Sequence, residues 1–241
     1  MKELKSYFES LLDKTSIKVK NVDIIKDAIE QFLKENYTIK GSYTIKETKS
    51  GAVVDVKGDV IVTNKNITSL TDGIFVFGKV ERTFNCSNCN SLTSLKGAPK
   101  KVKWNFECYS CNSLTSLKGA PKEVSGNFFC NNCDLLKTLE GAPKKVGQSF
   151  YCDCCKSLTS LEGAPKEVGG EFVCTYCDSL ISLKGAPQEV GGSFNCSHCK
   201  SLTSLEGAPI KTKDHFSAKD CGRKFKKEDI KFLVHSSVIF I

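Results

Sequence analysis

Six Cys-x-x-Cys pairs are the residues of this chain whose type and spacing first suggest chemistry, because structural zinc sites use this spacing. The first cysteine of each pair recurs at a constant step of 22 residues: Cys86, Cys108, Cys130, Cys152, Cys174 and Cys196. A constant step places the pairs in successive structural units, whereas a zinc site needs two pairs at one point. The spacing alone therefore leaves zinc binding, disulfides and structural packing open.

Two observations favour free, buried thiols that pack as small hydrophobic groups. The units at either end carry Val62 and Ala218 where the first cysteine belongs, which suits a core position but not a metal ligand. Stacked units would hold equivalent Cβ atoms about 4.8 Å apart, whereas a relaxed disulfide requires about 3.8 Å. Zinc binding through the pairs stays as an alternative, and we expect no cofactor. Cys154 lies between the two cysteine positions and is the best candidate for an accessible thiol.

The elements that carry the cysteines form a repeat, and a fixed period of this length predicts a solenoid. Phenylalanine and two leucines recur in every unit at positions that must face the interior, since only a continuous core stabilises a stack. The Phe-x-Cys step predicts a short strand, and a Gly-Ala-Pro corner ends each turn. We count eight coil starts: Val56, Val80, Val102, Val124, Val146, Val168, Val190 and Thr212.

The units resemble the cysteine-containing variant of the leucine-rich repeat. The match runs through Phe194, Cys196, Cys199, Leu202 and Leu205, with Phe and Cys in place of the usual strand leucines. The Leu-Thr-Ser-Leu-Glu-Gly-Ala-Pro motif resembles that of repeat arrays encoded by bacteriophages and large DNA viruses. This resemblance implies a curved, LRR-like solenoid of short parallel β-strands and turns that binds another protein, for example as a phage-encoded inhibitor of a host defence protein.

Three domains are predicted. Residues 1–55 form an N-terminal cap with helices over 3–13 and from Asn21, followed by a hairpin of Tyr37–Lys40 with Ser42–Thr48. Residues 56–221 form the solenoid, with a cysteine ladder in its core. Residues 222–241 form a C-terminal cap that contains a short helix over 226–235.

Composition narrows the classes of function. The net charge is +8, but Arg82 and Arg223 are the only arginines. Many cysteines without an apolar leader indicate reduced thiols and a cytoplasmic protein, in the host cytoplasm if the protein is viral, and no run is long enough to span a membrane. No nucleophile elbow, phosphate-binding loop or carboxylate pair stands out, so we expect no enzymatic activity.

A partner-binding surface is predicted from the positions that vary between units. In leucine-rich repeats the concave face is built around the short strand, and here those positions carry several aromatic side chains, which supply much of the binding energy of protein interfaces. The candidate partner-binding residues are Trp104, Tyr109, Phe129, Tyr151, Val173, Tyr176 and His198. An alternative is that aromatic residues are present because they favour strands.

The competing surface is a lysine-rich ridge after each proline, where stacked lysines could follow the phosphates of a nucleic acid. Lys100, Lys122, Lys144 and Lys166 belong to it, but glutamates interrupt the ridge and arginine is nearly absent. A solvated charged surface is therefore favoured, and nucleic-acid binding stays as an alternative.

Overall fold

The chain is a β-solenoid of stacked coils in the computed structural model, which describes residues 20–231 and 238–240. Two sheets run along the stack, and each regular coil contributes one short strand to each sheet. One helix, α1 (Lys20–Asn36), precedes the coils, and a 3-10 helix (Lys227–Ile230) follows them. The predicted helix over 3–13 lies outside the described residues.

The strands divide between a ten-stranded and a nine-stranded sheet. The ten-stranded sheet contains, in order, β1 (Tyr37–Lys40), β4 (Asp59–Val62), β6 (Phe84–Asn85), β8 (Phe106–Glu107), β10 (Phe128–Phe129), β12 (Phe150–Tyr151), β14 (Phe172–Val173), β16 (Phe194–Asn195), β18 (His215–Ser217) and β19 (Val238–Phe240). The nine-stranded sheet contains β2 (Tyr43–Thr48), β3 (Gly51–Val56), β5 (Phe75–Val80), β7 (Lys101–Val102), β9 (Glu123–Val124), β11 (Lys145–Val146), β13 (Glu167–Val168), β15 (Glu189–Val190) and β17 (Lys211–Thr212).

The register confirms the predicted coils. Val60 pairs with Phe84, and each later phenylalanine of the series pairs with the next, up to Phe216. Their rings stack in the interior with centroids 5.1–5.7 Å apart. The coil starts from Val56 to Thr212 form the inward column of the nine-stranded sheet. This second strand in each coil was not predicted from the sequence.

The corner of each coil depends on a glycine in the left-handed region of backbone space. Gly119 has a φ of 94°, and a Cβ there would lie 2.5 Å from the carbonyl carbon of Leu95 in the preceding coil. Glycine is therefore required both for the conformation and for the close approach of two coils. The proline that follows two residues later, such as Pro121, is buried at the corner.

The first part of the described chain covers the start of the interior. The predicted inward face of α1 is confirmed, since Ile29, Phe32 and Leu33 are buried and the Phe32 ring lies 5.9 Å from that of Phe75. The described helix begins at Lys20, so Asn21 lies inside it rather than capping it.

The predicted hairpin between Tyr37–Lys40 and Ser42–Thr48 is wrong. β1 pairs antiparallel with β4 in one sheet, while β2 pairs antiparallel with β3 in the other. The chain crosses between the sheets at Gly41, whose φ is 134°. β2 therefore pairs with the strand that follows it and not with the one before it. A tight turn joins β2 to β3, and in this turn the Thr48 hydroxyl donates a hydrogen bond to the Gly51 carbonyl.

At the other end, β19 adds a parallel strand beside β18. The closing helix predicted over 226–235 corresponds to the 3-10 helix Lys227–Ile230, and the prediction over 232–237 lies outside the described residues. In the part of the chain that the structure describes, no helix has the length and apolar character needed to cross a bilayer.

Candidate protein-binding interface

The strands of the ten-stranded sheet hold one set of side chains inward and the alternate set outward. In each coil the phenylalanine and the first cysteine are buried, and the residue between them is partly exposed. We call the aromatic face the outward residues of this sheet and of its flanking turns, from Trp104 to His198. In each coil these residues occupy positions −2, −1, +1, +3 and +4 relative to the buried phenylalanine.

All seven predicted binding residues lie on the aromatic face, but they form separate clusters. Phe129 and Tyr151 stack with ring centroids 4.9 Å apart and planes 4° from parallel. Val173 follows Tyr151 directly in the register of the sheet. These three side chains form a central row along three coils, and each is partly exposed.

A second cluster lies at the turn between the two cysteines of a unit. Tyr176 and His198 occupy the same turn position in successive coils, and their rings stack 4.6 Å apart. The Tyr176 side chain is 52% exposed. The Nδ1 atom of His198 lies 3.6 Å from the Asp220 carboxylate of the next coil.

Trp104 lies on the opposite side of the central row, before its strand. It is 55% exposed, and the guanidinium of Arg82 lies 4.6 Å from its ring centroid. This cation–π contact is one that the sequence did not predict, because Arg82 belongs to the preceding coil. Tyr109 is partly exposed on the same coil as Trp104.

The turn position of Tyr176 and His198 has an unusual backbone. The seven coils that start from Val80 to Thr212 turn there with a left-handed residue, and φ is 56° at Tyr176 and 62° at His198. Asn88 and Asn132 meet the same need in other coils, and asparagine tolerates this conformation well. A tyrosine is costly in this place, so the turn itself does not explain Tyr176. An unusual residue held at an exposed turn is the kind of feature that often accompanies binding.

The predicted binding residues do not include the carboxylates of the aromatic face. Glu107 accepts a hydrogen bond from the Asn85 side chain, and the Tyr151 hydroxyl lies 3.3 Å from the Glu171 carboxylate. Burial raises the pKa of Glu107 and of Asp153 above their ordinary values. The signal available in the sequence was the lack of lysine in these columns, which becomes meaningful only when the columns are known to share a face.

The outward side of the nine-stranded sheet has a different chemistry. We call the ionic face the outward column Lys79, Lys101, Glu123, Lys145, Glu167, Glu189 and Lys211. Lys101 pairs with Glu123 at 2.7 Å, and Lys145 pairs with Glu167 at 2.9 Å. Charges on this surface are therefore neutralised by the neighbouring coil.

One lysine column differs from the rest of the ridge. Lys100, Lys122, Lys144 and Lys166 are exposed at the same position of four successive coils, and no ion pair joins any of them within the described residues. Backbone hydrogen bonds from Lys122 to Lys100 and from Lys166 to Lys144 keep these coils in register. The predicted ridge thus reduces to a single unpaired column.

The cysteine pairs form two buried columns. From Cys111 onward, the second thiol of each pair donates to the carbonyl of the first cysteine in the preceding coil, as from Cys111 to Cys86 at 3.1 Å and from Cys133 to Cys108 at 3.3 Å. Burial raises the pKa of Cys111 to about 12 and that of Cys133 to about 11. At these two positions the thiol is therefore favoured over the thiolate that metals bind. Groups of three or more metal-binding side chains are absent among the described residues.

Cys154 projects from the turn of its coil and is partly exposed. Partial burial and the neighbouring Asp153 raise the pKa of its thiol, so it is accessible without being activated. Cys221, which follows the last complete pair, is also partly exposed, and burial raises its pKa to about 11.

A scan against protein-family models, a search of curated proteins and a search of solved structures each returned no match.

Proposed function

We propose that this chain is a non-enzymatic protein-binding module that captures its partner through the aromatic face. The observation that supports the proposal is the row of partly exposed, stacked rings at Phe129 and Tyr151, with Tyr176 and His198 beside it. Such rings lose little conformational entropy on binding because they are already ordered against one another.

The alternative, that rings occupy strands because they favour strands, accounts poorly for this arrangement. Tyr176 and His198 lie in a turn rather than in a strand, and the left-handed backbone at Tyr176 opposes a bulky side chain. Trp104 also lies outside the two-residue strand of its coil. Strand preference therefore does not explain three of the most prominent aromatic positions on this face.

The finer expectations belong to the same proposal. The resemblance to leucine-rich repeats and to arrays of bacteriophages and large DNA viruses makes a host protein, such as a component of a defence complex, a natural partner. In that setting the module acts in the host cytoplasm, where reduced thiols are expected.

The test is an affinity pull-down from host lysate that compares the wild type with a Phe129→Ala/Tyr151→Ala double variant. The matched control is Leu135→Ala/Ile181→Ala, because these side chains are 49% and 57% exposed but lie off the aromatic face. We expect capture of one defined protein by the wild type and the control, and its loss from the aromatic-face variant. Binding is then measured again with that protein in purified form.

Thermal unfolding of the three proteins completes the test. The aromatic-face variant should keep a melting temperature close to that of the control, because its rings are outside the core. If capture is lost equally in both variants, or if the aromatic-face variant unfolds at a much lower temperature, the assignment of this face is wrong.

A second candidate function is nucleic-acid binding through the column of Lys100, Lys122, Lys144 and Lys166. Its supporting observation is that these four lysines have no acidic partner among the residues that the structure describes, while Lys101 and Lys145 beside them do. Alanine at all four positions should then abolish binding of single-stranded or duplex nucleic acid, and binding should decrease steeply with salt. Unchanged or absent binding removes this candidate.

Zinc binding through the cysteine pairs is the remaining alternative. It predicts stoichiometric zinc in the purified protein and unfolding when a chelator removes it. The buried thiols that donate to carbonyl groups support a structural role instead.

A further inference from the structure

No lysine or arginine occupies a position of the aromatic face. Between Trp104 and His198, the five outward positions of each coil contain no lysine or arginine, although the whole chain has a net charge of +8. The nearest cations at these positions are Arg82 in the preceding coil and Lys219 in the following one. A basic protein thus has one face from which its own lysines are excluded.

The carboxylates of this face have no cationic partner. Glu107, Asp153 and Glu171 form no ion pair with any side chain in the described ranges. Elsewhere in the solenoid, eight carboxylates among the described residues each pair with a lysine 22 residues away: Glu81, Glu123, Asp134, Glu140, Glu162, Glu167, Asp178 and Glu189.

The environment of two of these carboxylates is unfavourable in the isolated protein. Glu107 and Asp153 are half-buried, and their raised pKa values reflect lost hydration of the charged form. A carboxylate that has lost water without gaining a counter-charge is stabilised when a cation arrives. The charged carboxylates are therefore more stable in a complex with a cationic partner than in the isolated protein.

The rings of the face provide a second kind of contact for a cation. Arg82 already lies over Trp104 at 4.6 Å, which shows that a guanidinium fits against a ring of this surface. Beyond Tyr151, a depression of ≈ 290 Å³ opens beside Glu171, Val173 and Asn195. His215 and Lys219 line its far wall, and both have interactions within the protein.

We propose, building on the protein-binding role above, that the partner inserts cationic side chains into the aromatic face through an extended, arginine- or lysine-bearing segment. Glu107 and Glu171 lie three coils apart, which corresponds to about 14 Å along the stack. An extended segment of about four residues spans this distance, with its alternate side chains turned toward the face. The carboxylates bind the cationic groups, and the rings contact their alkyl stems.

The experiment uses the full chain and two defined octapeptides, one alternating glycine with arginine and one alternating glycine with glutamate. Trp104 is the only tryptophan, so its fluorescence reports binding at the aromatic face. We expect the arginine peptide to change the emission and the glutamate peptide to leave it unchanged. Attraction of a cationic peptide by a protein of charge +8 is a stringent result, since the overall charge opposes it.

Two triple variants of equal charge locate the effect. Glu107→Gln/Asp153→Asn/Glu171→Gln should weaken the arginine peptide at least tenfold. Glu123→Gln/Glu167→Gln/Glu189→Gln removes the same charge from the ionic face and should leave the affinity within about twofold, since these carboxylates are remote and already paired. Equal binding of the two peptides, or equal weakening by the two variants, overturns the proposal.

Two further outcomes separate this inference from its premise. If the captured host protein depends on Phe129 and Tyr151 but not on the three carboxylates, the interface stands and the cationic partner is wrong. If binding of the arginine peptide requires the three carboxylates but capture of the host protein is unchanged by alanine at Phe129 and Tyr151, the face binds cations but the proposed function is wrong. Salt-sensitive self-association that the first triple variant abolishes would identify a second copy of this chain as the occupant and overturn the proposal.

Discussion

The aromatic face and the ionic face are built by the same repeat, yet they treat charge in opposite ways. On the ionic face, Lys101 and Lys145 each find a glutamate in the next coil. On the aromatic face, Glu107 and Asp153 are half-buried without a lysine. One surface supplies its own counter-charges, while the other has carboxylates that hydrogen-bond within the protein but have no counter-charge among the described residues. This difference distinguishes a solvated surface from a candidate interface.

The largest expected effect separates the aromatic face from the core beneath it. Phe150 is fully buried between two stacked rings, so Phe150→Ala should cost about 3–5 kcal/mol of unfolding free energy. The adjacent Tyr151→Ala should cost about 1 kcal/mol, since this ring is partly exposed and stacks on one neighbour. Chemical denaturation measures both. Comparable losses would show that the outward rings belong to the core and would break the comparison.

A smaller effect of opposite sign is expected at Glu107. Burial raises the pKa of its carboxyl above the ordinary 4.5, so the charged form destabilises the folded state at neutral pH. Glu107→Gln should raise the melting temperature by about 1–2 °C at pH 7, and the gain should disappear as the pH falls below 4.5, where the carboxyl is protonated in both the folded and the unfolded state. A loss of stability at pH 7 would mean that this carboxylate is satisfied within the protein.

The smallest effect is expected on the ionic face. The Lys145 and Glu167 side chains are 66% and 67% exposed, so water screens their ion pair. Lys145→Ala should lower the melting temperature by no more than about 2 °C, and about 1 M salt should remove the difference. The salt titration of the variant against the wild type is the measurement. A large, salt-resistant loss would place this column among the determinants of the fold.

Several features of the fold could be predicted from the sequence because each unit has the same types of residue at the same positions. An apolar side chain that recurs at each phenylalanine position can only be buried in a stack, and the register from Val60 to Phe216 confirms this. The same reasoning identified the eight coil starts. The inward side of α1 followed from the spacing of Ile29, Phe32 and Leu33.

Two other features could not be predicted, because neither leaves a local pattern of the kind that the Phe-x-Cys step gives. Glu123–Val124 and its equivalents form a whole second sheet, yet each strand is too short for alternation to be recognised. The pairing of β1 with β4 and of β2 with β3 depended on where the chain crosses at Gly41, which local propensity does not reveal.

The candidate interface divides in the same way. The seven predicted binding residues of the aromatic face could be selected from the sequence. The residue type at their positions varies from coil to coil, whereas the residue type at the interior positions does not. Their grouping into two stacked pairs, and the contact of Arg82 with Trp104, required the coils to be placed in register.

The sequence by itself determined the stack, its period and the columns that fill its interior, because burial of apolar surface depends on residue type and position in the repeat. Only the tertiary structure decided which charges meet. Lys145 and Glu167 lie 22 residues apart in the chain and 2.9 Å apart in space, whereas Glu171 lies close to them in sequence and on the other sheet. Electrostatic interaction depends on distance and hydration, and both are set by the fold.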